Sequence, residues 1–201
     1  LPNNWVSAEH CKTGNSMTTR FVRLLLILAC CLPVQALLAG PLDDIVNYRE
    51  YSATLSSSGQ PNADQLQFLR DAGFERVVYL AFSDHDSSLS NEDRIVKDLG
   101  MDYIHIPVDW DAPSRSDFYA FAGAMQREPS KKTLVHCQVN FRASAFSFLY
   151  RVLYEGVSID QAKDDMNAVW VTNTNWTNLI FDTLEENDVS PHCDTCLWER
   201  D

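Results

Sequence analysis

From residue 41 onward the apolar positions change period repeatedly, and each change marks an element. Tyr48 to Leu55 reads as a first strand, and the small polar run Ser56-Ser57-Ser58-Gly59-Gln60 as the loop that ends it. Pro61 to Ala72 has helical spacing, with Leu66, Phe68 and Leu69 forming an apolar face and Gly73 as the stop. Arg76 to Phe82 is a β-rich run, apolar enough to be covered on both faces. After the polar stretch Ser83 to Ser90 come a helix over Glu92 to Leu99, capped by Gly100, and a third strand over Tyr103 to Val108. Asp117 to Arg127 puts Phe118, Phe121, Ala122 and Met125 on one helical face. Thr133 to His136 is a short buried strand, and Arg142 to Tyr154 a helix. Two further helices are expected, one after a capping box at Ser158 to Gln161 and one from about Asn175.

Strands and helices alternating at this spacing predict an α/β fold. It is a three-layer, doubly wound, mostly parallel sheet of four to five strands flanked by helices. The folded body spans 41–187, and 188–201 is a tail.

The chain before the body has a different character. After Met17, Arg20 and Arg23 form a basic stretch, Leu24 to Leu32 an apolar one, and Val34-Gln35-Ala36 supplies small side chains suited to cleavage. Residues 17–36 are therefore expected to be a secretory signal peptide, with 1–16 an upstream extension. The rival expectation is an uncleaved segment that anchors the chain in a membrane. The apolar run is short for a span of about 20 residues, and Pro33 and Gln35 interrupt it. Export, in a bacterium to the periplasm, is the favoured reading, with no stable membrane span in the mature chain.

Composition changes in meaning once that segment is set aside. The 201 residues carry a net charge of −12, with six Cys. Residues 1–36 hold Lys12, Arg20, Arg23 and Glu9, so their removal takes the charge to −14. So acidic a chain is a poor general nucleic-acid binder. Cys11, Cys30 and Cys31 leave with the segment, and Cys137, Cys193 and Cys196 remain. Cys193 and Cys196, with two residues between them, suit a local disulfide, which could also exchange with an oxidised Cys137. Asp84-His85-Asp86 lies on an active-side loop but lacks further convergent ligands, so neither a metal nor any other cofactor is expected.

The chemistry concentrates in Val135-His136-Cys137-Gln138-Val139-Asn140-Phe141-Arg142-Ala143-Ser144. A buried strand here meets a helix, at the carboxyl end of the strand where such folds bind ligands. A short loop entering a helix aims backbone N–H groups at one point, and the helix dipole adds positive potential. That environment favours a nucleophilic thiolate on Cys137 and cradles an oxyanion over Gln138, Val139, Asn140 and Phe141. Arg142 is a cation in a helix's first turn, where it is disfavoured unless a dianion takes its guanidinium. Asn140 tolerates left-handed backbone better than most residues. His136 suits a hydrogen-bonding support beneath the loop.

These residues resemble the cysteine-dependent protein tyrosine phosphatases, whose signature is His-Cys, five residues, Arg, then Ser or Thr. The likeness extends over most of 41–187, through Ser58-Gly59-Gln60-Pro61 and Ile106-Pro107-Val108-Asp109, and points to the bacterial dual-specificity-like branch. Here only four residues separate Cys137 from Arg142, while Ser144 keeps the family's usual distance from the Cys. The resemblance implies a phosphocysteine mechanism, in which Cys137 attacks phosphorus and Arg142 binds the phosphoryl oxygens. A loop Asp then protonates the leaving group: Asp109, four residues before Pro113, or its rival Asp111. Ser144 would bond the Cys137 sulfur. The partners implied are a phosphorylated protein or a small phosphate ester. The four-residue spacing also occurs in rhodanese sulfurtransferases, and the atypical loop would suit a phosphate-binding pseudophosphatase. An anion site in so anionic a chain must draw its affinity from Arg142 and a focused helix N-terminus.

Overall fold

The computed structural model describes residues 42–193, together with Cys196 and Trp198. The chain divides into two units, Leu1–Leu38 and Ala39–Asp201. The expected extension 1–16 and signal peptide 17–36 lie outside the described residues.

Five strands and six helices alternate along the described residues. They are β1 (Arg49–Glu50), β2 (Leu55–Ser58), α1 (Ala63–Asp71), β3 (Arg76–Tyr79), α2 (Glu92–Asp98), β4 (Asp102–His105), α3 (Arg115–Arg127), β5 (Thr133–His136), α4 (Phe141–Tyr154), α5 (Ile159–Asn167) and α6 (Thr174–Glu186). The sheet order is β1-β2-β5-β3-β4. Strands β2, β5, β3 and β4 run parallel, and β1 pairs antiparallel with β2 at the edge. This is the expected α/β architecture. In register, Ser58 faces His136, His136 faces Tyr79, and Tyr79 faces His105. The four parallel strands thus finish level, and the loops that follow them emerge together along one edge.

Alternation along each strand divides the core into two. Val77 and Leu134 pack with Leu66 and Leu69 of α1 and Val96 of α2 on one face. Val78 and Val135 pack with Phe118 and Phe121 of α3, Phe146 of α4 and Ile180 of α6 on the other. Burying a Phe contributes about 1.5–3 kcal/mol, so the Phe118, Phe121, Phe146 cluster anchors α3 to α4. Helix α4 is buried at every residue from Ala143 to Arg151. Within that stretch Arg151 lies over the Tyr51 ring and pairs with Asp165 at 2.8 Å, tying α4 to α5 and to the chain just after β1. None of the helices described is long and apolar enough to cross a membrane.

Several expected elements move. Ser56, Ser57 and Ser58 are not a loop but the buried strand β2. Serine reads as a turn residue because its hydroxyl competes for local backbone partners. Here Tyr48 donates to Ser56 at 3.2 Å, Tyr51 and Ser57 share a bond of 2.8 Å, and Ser58 donates to the Gly59 carbonyl at 2.7 Å. The expected capping box at Ser158 does not form, since that hydroxyl makes no cap bond to the helix. The reciprocal box instead starts α1, between Asn62 and Gln65. Helix α3 begins at Arg115, not Asp117, because Ser114 accepts the Asp117 N–H and sets the start.

Candidate active site

Strand β5 ends at His136, and the chain turns through Cys137, Gln138, Val139 and Asn140 into α4. The turn needs a left-handed residue immediately before the helix. Asn140 supplies it, with φ 75° and ψ 0°. Its side chain makes no cap bond to the helix, so the first N–H groups of α4 are not closed off by it. Instead its Nδ2 donates to the Asn47 carbonyl at 2.6 Å. Asn47, itself at φ 50°, returns the contact by donating Nδ2 to the Val139 carbonyl at 3.0 Å. The chain around Gly59 holds the other side: Gln60 N–H donates to the Gln138 carbonyl at 3.0 Å, and Gly59 bridges to Val139. A Cβ on Gly59 would lie 2.8 Å from both the Gln138 oxygen and the Val46 Cβ. Only glycine allows the three segments to close up.

Cys137 is a free thiol at the foot of this turn, fully buried, and its N–H donates to the Ser58 carbonyl at 3.3 Å. Arg142, in the first turn of α4, leans over the loop. Its Nε donates to the Val108 carbonyl at 3.0 Å and its Nη1 to Gln138 Oε1 at 2.7 Å, and its guanidinium lies 5.2 Å from the Trp110 ring. Its partners are a carbonyl, an amide and an indole, none of which cancels its charge. His85, Trp110, Gln138, Val139, Phe141 and Arg142 line a cleft of about 450 Å³.

Aromatic rings form one wall of that cleft. Phe141 stacks on Trp170 at 4.7 Å, Trp110 packs against both, and Trp176 beneath donates Nε1 to the Trp110 carbonyl at 3.0 Å. Asp109 lies between Val108 and Trp110, both of which touch Arg142. Its carboxylate is turned to its own loop, where Oδ1 accepts the N–H groups of Asp111 (2.8 Å) and Ala112 (3.2 Å). Asp111 lines a different hollow, with Pro113, Arg115 and Asn175.

His136 is fully buried and stacks on Tyr79 at 4.7 Å. Its Nε2 lies 3.2 Å from Glu92 Oε1, near enough for an ion pair but outside hydrogen-bond alignment. Glu92 Oε1 also accepts Gln60 Nε2 at 2.9 Å. The expectation for Ser144 is corrected. Its one hydroxyl proton goes to the Phe141 carbonyl at 3.0 Å and its oxygen accepts Trp170 Nε1 at 3.1 Å, which leaves no proton for the sulfur. Cys193 and Cys196 form a disulfide. The adjoining Trp198 packs on Phe148 and Phe181. Phe148 lies seven residues into α4, about 10 Å along its axis from the end that meets the loop.

Sequence reasoning singled out Cys137, Arg142 and the loop; the structure sets Gln138, Val139, Phe141 and Arg142 around one cleft, with Cys137 and Asn140 buried beneath it. It missed Asn47, Glu92 and the Val108 carbonyl. Asn47 carried no signal beyond being an Asn ahead of a strand, and Glu92 read as an ordinary acid in a helix's first turn. His85, on the exposed loop after β3, also lines the cleft, and its Nδ1 accepts the Ser87 N–H at 3.1 Å.

Residues 38–181 match the family model described as DSP-PTPase phosphatase fused to NAD+ kinase. Among solved structures, a DUF442 phosphatase from Shewanella putrefaciens CN-32 is 34% identical, with 71% of this chain and 91% of that one covered at a TM-score of 0.65. The active form of Tk-PTP (18% identity, 69% and 97% covered, TM-score 0.60) shares the fold, as does P. aeruginosa TpbA (19%, 68% and 84%, 0.56). No protein of curated function matches the chain.

Proposed function

Because the chain belongs to the dual-specificity-like phosphatases of the cysteine-dependent protein tyrosine phosphatase class, we propose that it hydrolyses phosphate monoesters through a phosphocysteine formed on Cys137. The observation that carries this reading is the uncompensated Arg142 beside a free Cys137 where β5 enters α4. The Cys137 thiolate attacks phosphorus, and the bond to the leaving alkoxide breaks. Two or more phosphoryl oxygens take the guanidinium fork of Arg142, drawing it from Val108 and Gln138, while others meet the N–H groups of the loop and of α4. Asp109 gives its proton to the leaving oxygen. Water then attacks the phosphocysteine, Asp109 takes a proton back, and phosphate leaves with the thiolate restored. To reach the leaving group the Asp109 carboxyl must turn out of its own loop, so this step includes a loop movement. The mature enzyme works after export, in a bacterium in the periplasm, on a phosphorylated protein or a small phosphate ester.

The test compares wild type with Cys137→Ser on an aryl phosphate and, separately, on thiosulfate with cyanide. Phosphate release that the variant loses is the expected result. Thiocyanate formation instead would make the protein a sulfurtransferase. Retained oxyanion binding with neither activity would make it a pseudophosphatase.

A further inference from the structure

The cleft over Arg142 does not end at the catalytic loop. On the far side of Val139 lies a second one, of about 510 Å³, walled by Val46, Pro61, Leu89 and Val139. His85, Gln138 and Val139 line both. Each has a volume usual for a ligand pocket. Val139 and Val46 are 42% and 48% exposed, so apolar surface continues across the ridge between the two clefts. The ridge is low because Gly59 lacks a side chain where Val46 and Gln138 converge on it. It is also firmly fixed, since Gly59 N–H donates to the Val46 carbonyl at 2.6 Å while Gly59 bridges to Val139. The second cleft is therefore fastened to the catalytic loop and keeps its spacing from Arg142.

We propose that this second cleft is a substrate subsite, taking an apolar side chain next to the phosphorylated residue of a peptide. It rests on the phosphatase reading above. The phosphoryl group sits over Cys137 and Arg142, the phosphorylated side chain runs along Trp110 and Phe141, and the peptide crosses Val139. His85 stands on that crossing. Its Nδ1 accepts the Ser87 N–H at 3.1 Å, so in the neutral ring the proton is on Nε2, a donor for a peptide carbonyl. Apolar walls in the second cleft alternate with amide and hydroxyl groups from Gln60, Asn62 and Ser88, which suit a peptide main chain better than an acyl chain. No basic side chain lines it, His85 is flanked by exposed Asp84 and Asp86, and the chain carries −12 overall. That charge disfavours an anionic lipid surface.

The test uses two phosphotyrosine peptides of equal length and charge, with Leu or Ser beside the phosphotyrosine, and p-nitrophenyl phosphate as a reference too small to reach the subsite. Wild type should show about tenfold higher kcat/KM for the Leu peptide, the discrimination an apolar pocket gives. Val46→Thr combined with Leu89→Gln should remove most of that advantage and leave p-nitrophenyl phosphate turnover unchanged. His85→Gln, at an exposed position, should lower kcat/KM for both peptides by a larger factor than for the small reference. Equal turnover of the two peptides, or a Leu advantage that survives the double variant, overturns the subsite while leaving the phosphatase reading intact. Failure to release phosphate from any of the three substrates overturns both. Faster hydrolysis of a phosphoinositide in anionic vesicles than of either peptide would overturn the peptide assignment.

Discussion

Replacing Asn140 by Ala and by Gly separates the two things this residue does. It is fully buried, it holds φ at 75° where the loop enters α4, and its side chain donates to the Asn47 carbonyl at 2.6 Å. Alanine loses that hydrogen bond, about 1 kcal/mol, and must hold a left-handed backbone, about 1–2 kcal/mol. The expected loss is about 2–3 kcal/mol. Glycine loses the same bond but adopts positive φ without strain. Its added cost is the freedom it gains in the unfolded chain, about 0.5–1 kcal/mol. The Gly variant should thus be the more stable by about 1 kcal/mol, which for a domain of this size is about 2–4 °C in melting temperature. Circular-dichroism melts of the three proteins give the order directly. Orthovanadate affinity should follow the same order, because strain released by moving the loop would misplace its N–H groups. If Asn140→Ala melts at or above Asn140→Gly, the left-handed turn does not control the loop, and the local account of the site is wrong.

Asp109→Asn keeps the oxygen that accepts the Asp111 and Ala112 N–H groups but cannot give up a proton, so hydrolysis of alkyl phosphates should fall at least 100-fold while activated aryl phosphates change little; equal losses on both would refute the acid role. Burial lowers Lys163 from 10.5 to about 8, with Asp164 opposing the shift. The unfolded chain then binds the extra proton between those two values, so stability should rise with pH across that window by up to about 1.4 kcal/mol per unit. In urea titrations the stability of wild type relative to Lys163→Met should rise from pH 8 to pH 10; a difference independent of pH would refute the linkage. Opening the Cys193–Cys196 disulfide by the double Ser variant should lower stability by about 2 kcal/mol or less, given its short loop, and leave kcat/KM unchanged. A large loss of turnover would show that the tail acts on Cys137 after all.

The sequence was most readable where one periodicity ruled. The apolar faces of α1 and α3 and the buried runs of β3 and β5 need only local pattern, and from them the parallel architecture followed. It failed at β2. Three serines are buried there because Tyr48, Tyr51 and the Gly59 carbonyl satisfy their hydroxyls; these partners are close in sequence, but only the reversal of the chain between β1 and β2 turns the two tyrosines onto the serines. The nucleophile and its Arg were readable because their order along the chain is also their order in space. Their supports were not: Asn47 lies 92 residues from Val139 and Gln60 lies 32 from Glu92, so those contacts exist only once the sheet has aligned its loops. Ser144 shows the opposite failure. Its spacing from Cys137 was right, but its hydroxyl donates to the Phe141 carbonyl while Trp170, from beyond α5, donates to its oxygen.

The net charge of the chain says little about whether it holds a dianion, because salt screens exposed charges beyond a Debye length of about 8 Å and the groups at the cleft decide. Beside it, Asp109 is turned to backbone N–H groups and Glu92 is buried between Gln60 and His136. Arg142 is the permanent cation lining the cleft, and its resting bonds matter as much as its charge. It is bound to the Val108 carbonyl, one residue before Asp109, and lies over Trp110, one residue after. Under the proposed chemistry, a phosphoryl group that claims the guanidinium frees the backbone on one side of the acid and shifts the ring on the other. Substrate arrival and the turning of Asp109 toward the leaving group are in this way one linked event. Arg142→Lys would keep the charge and break the link, since a single ammonium cannot make the paired contacts of the fork.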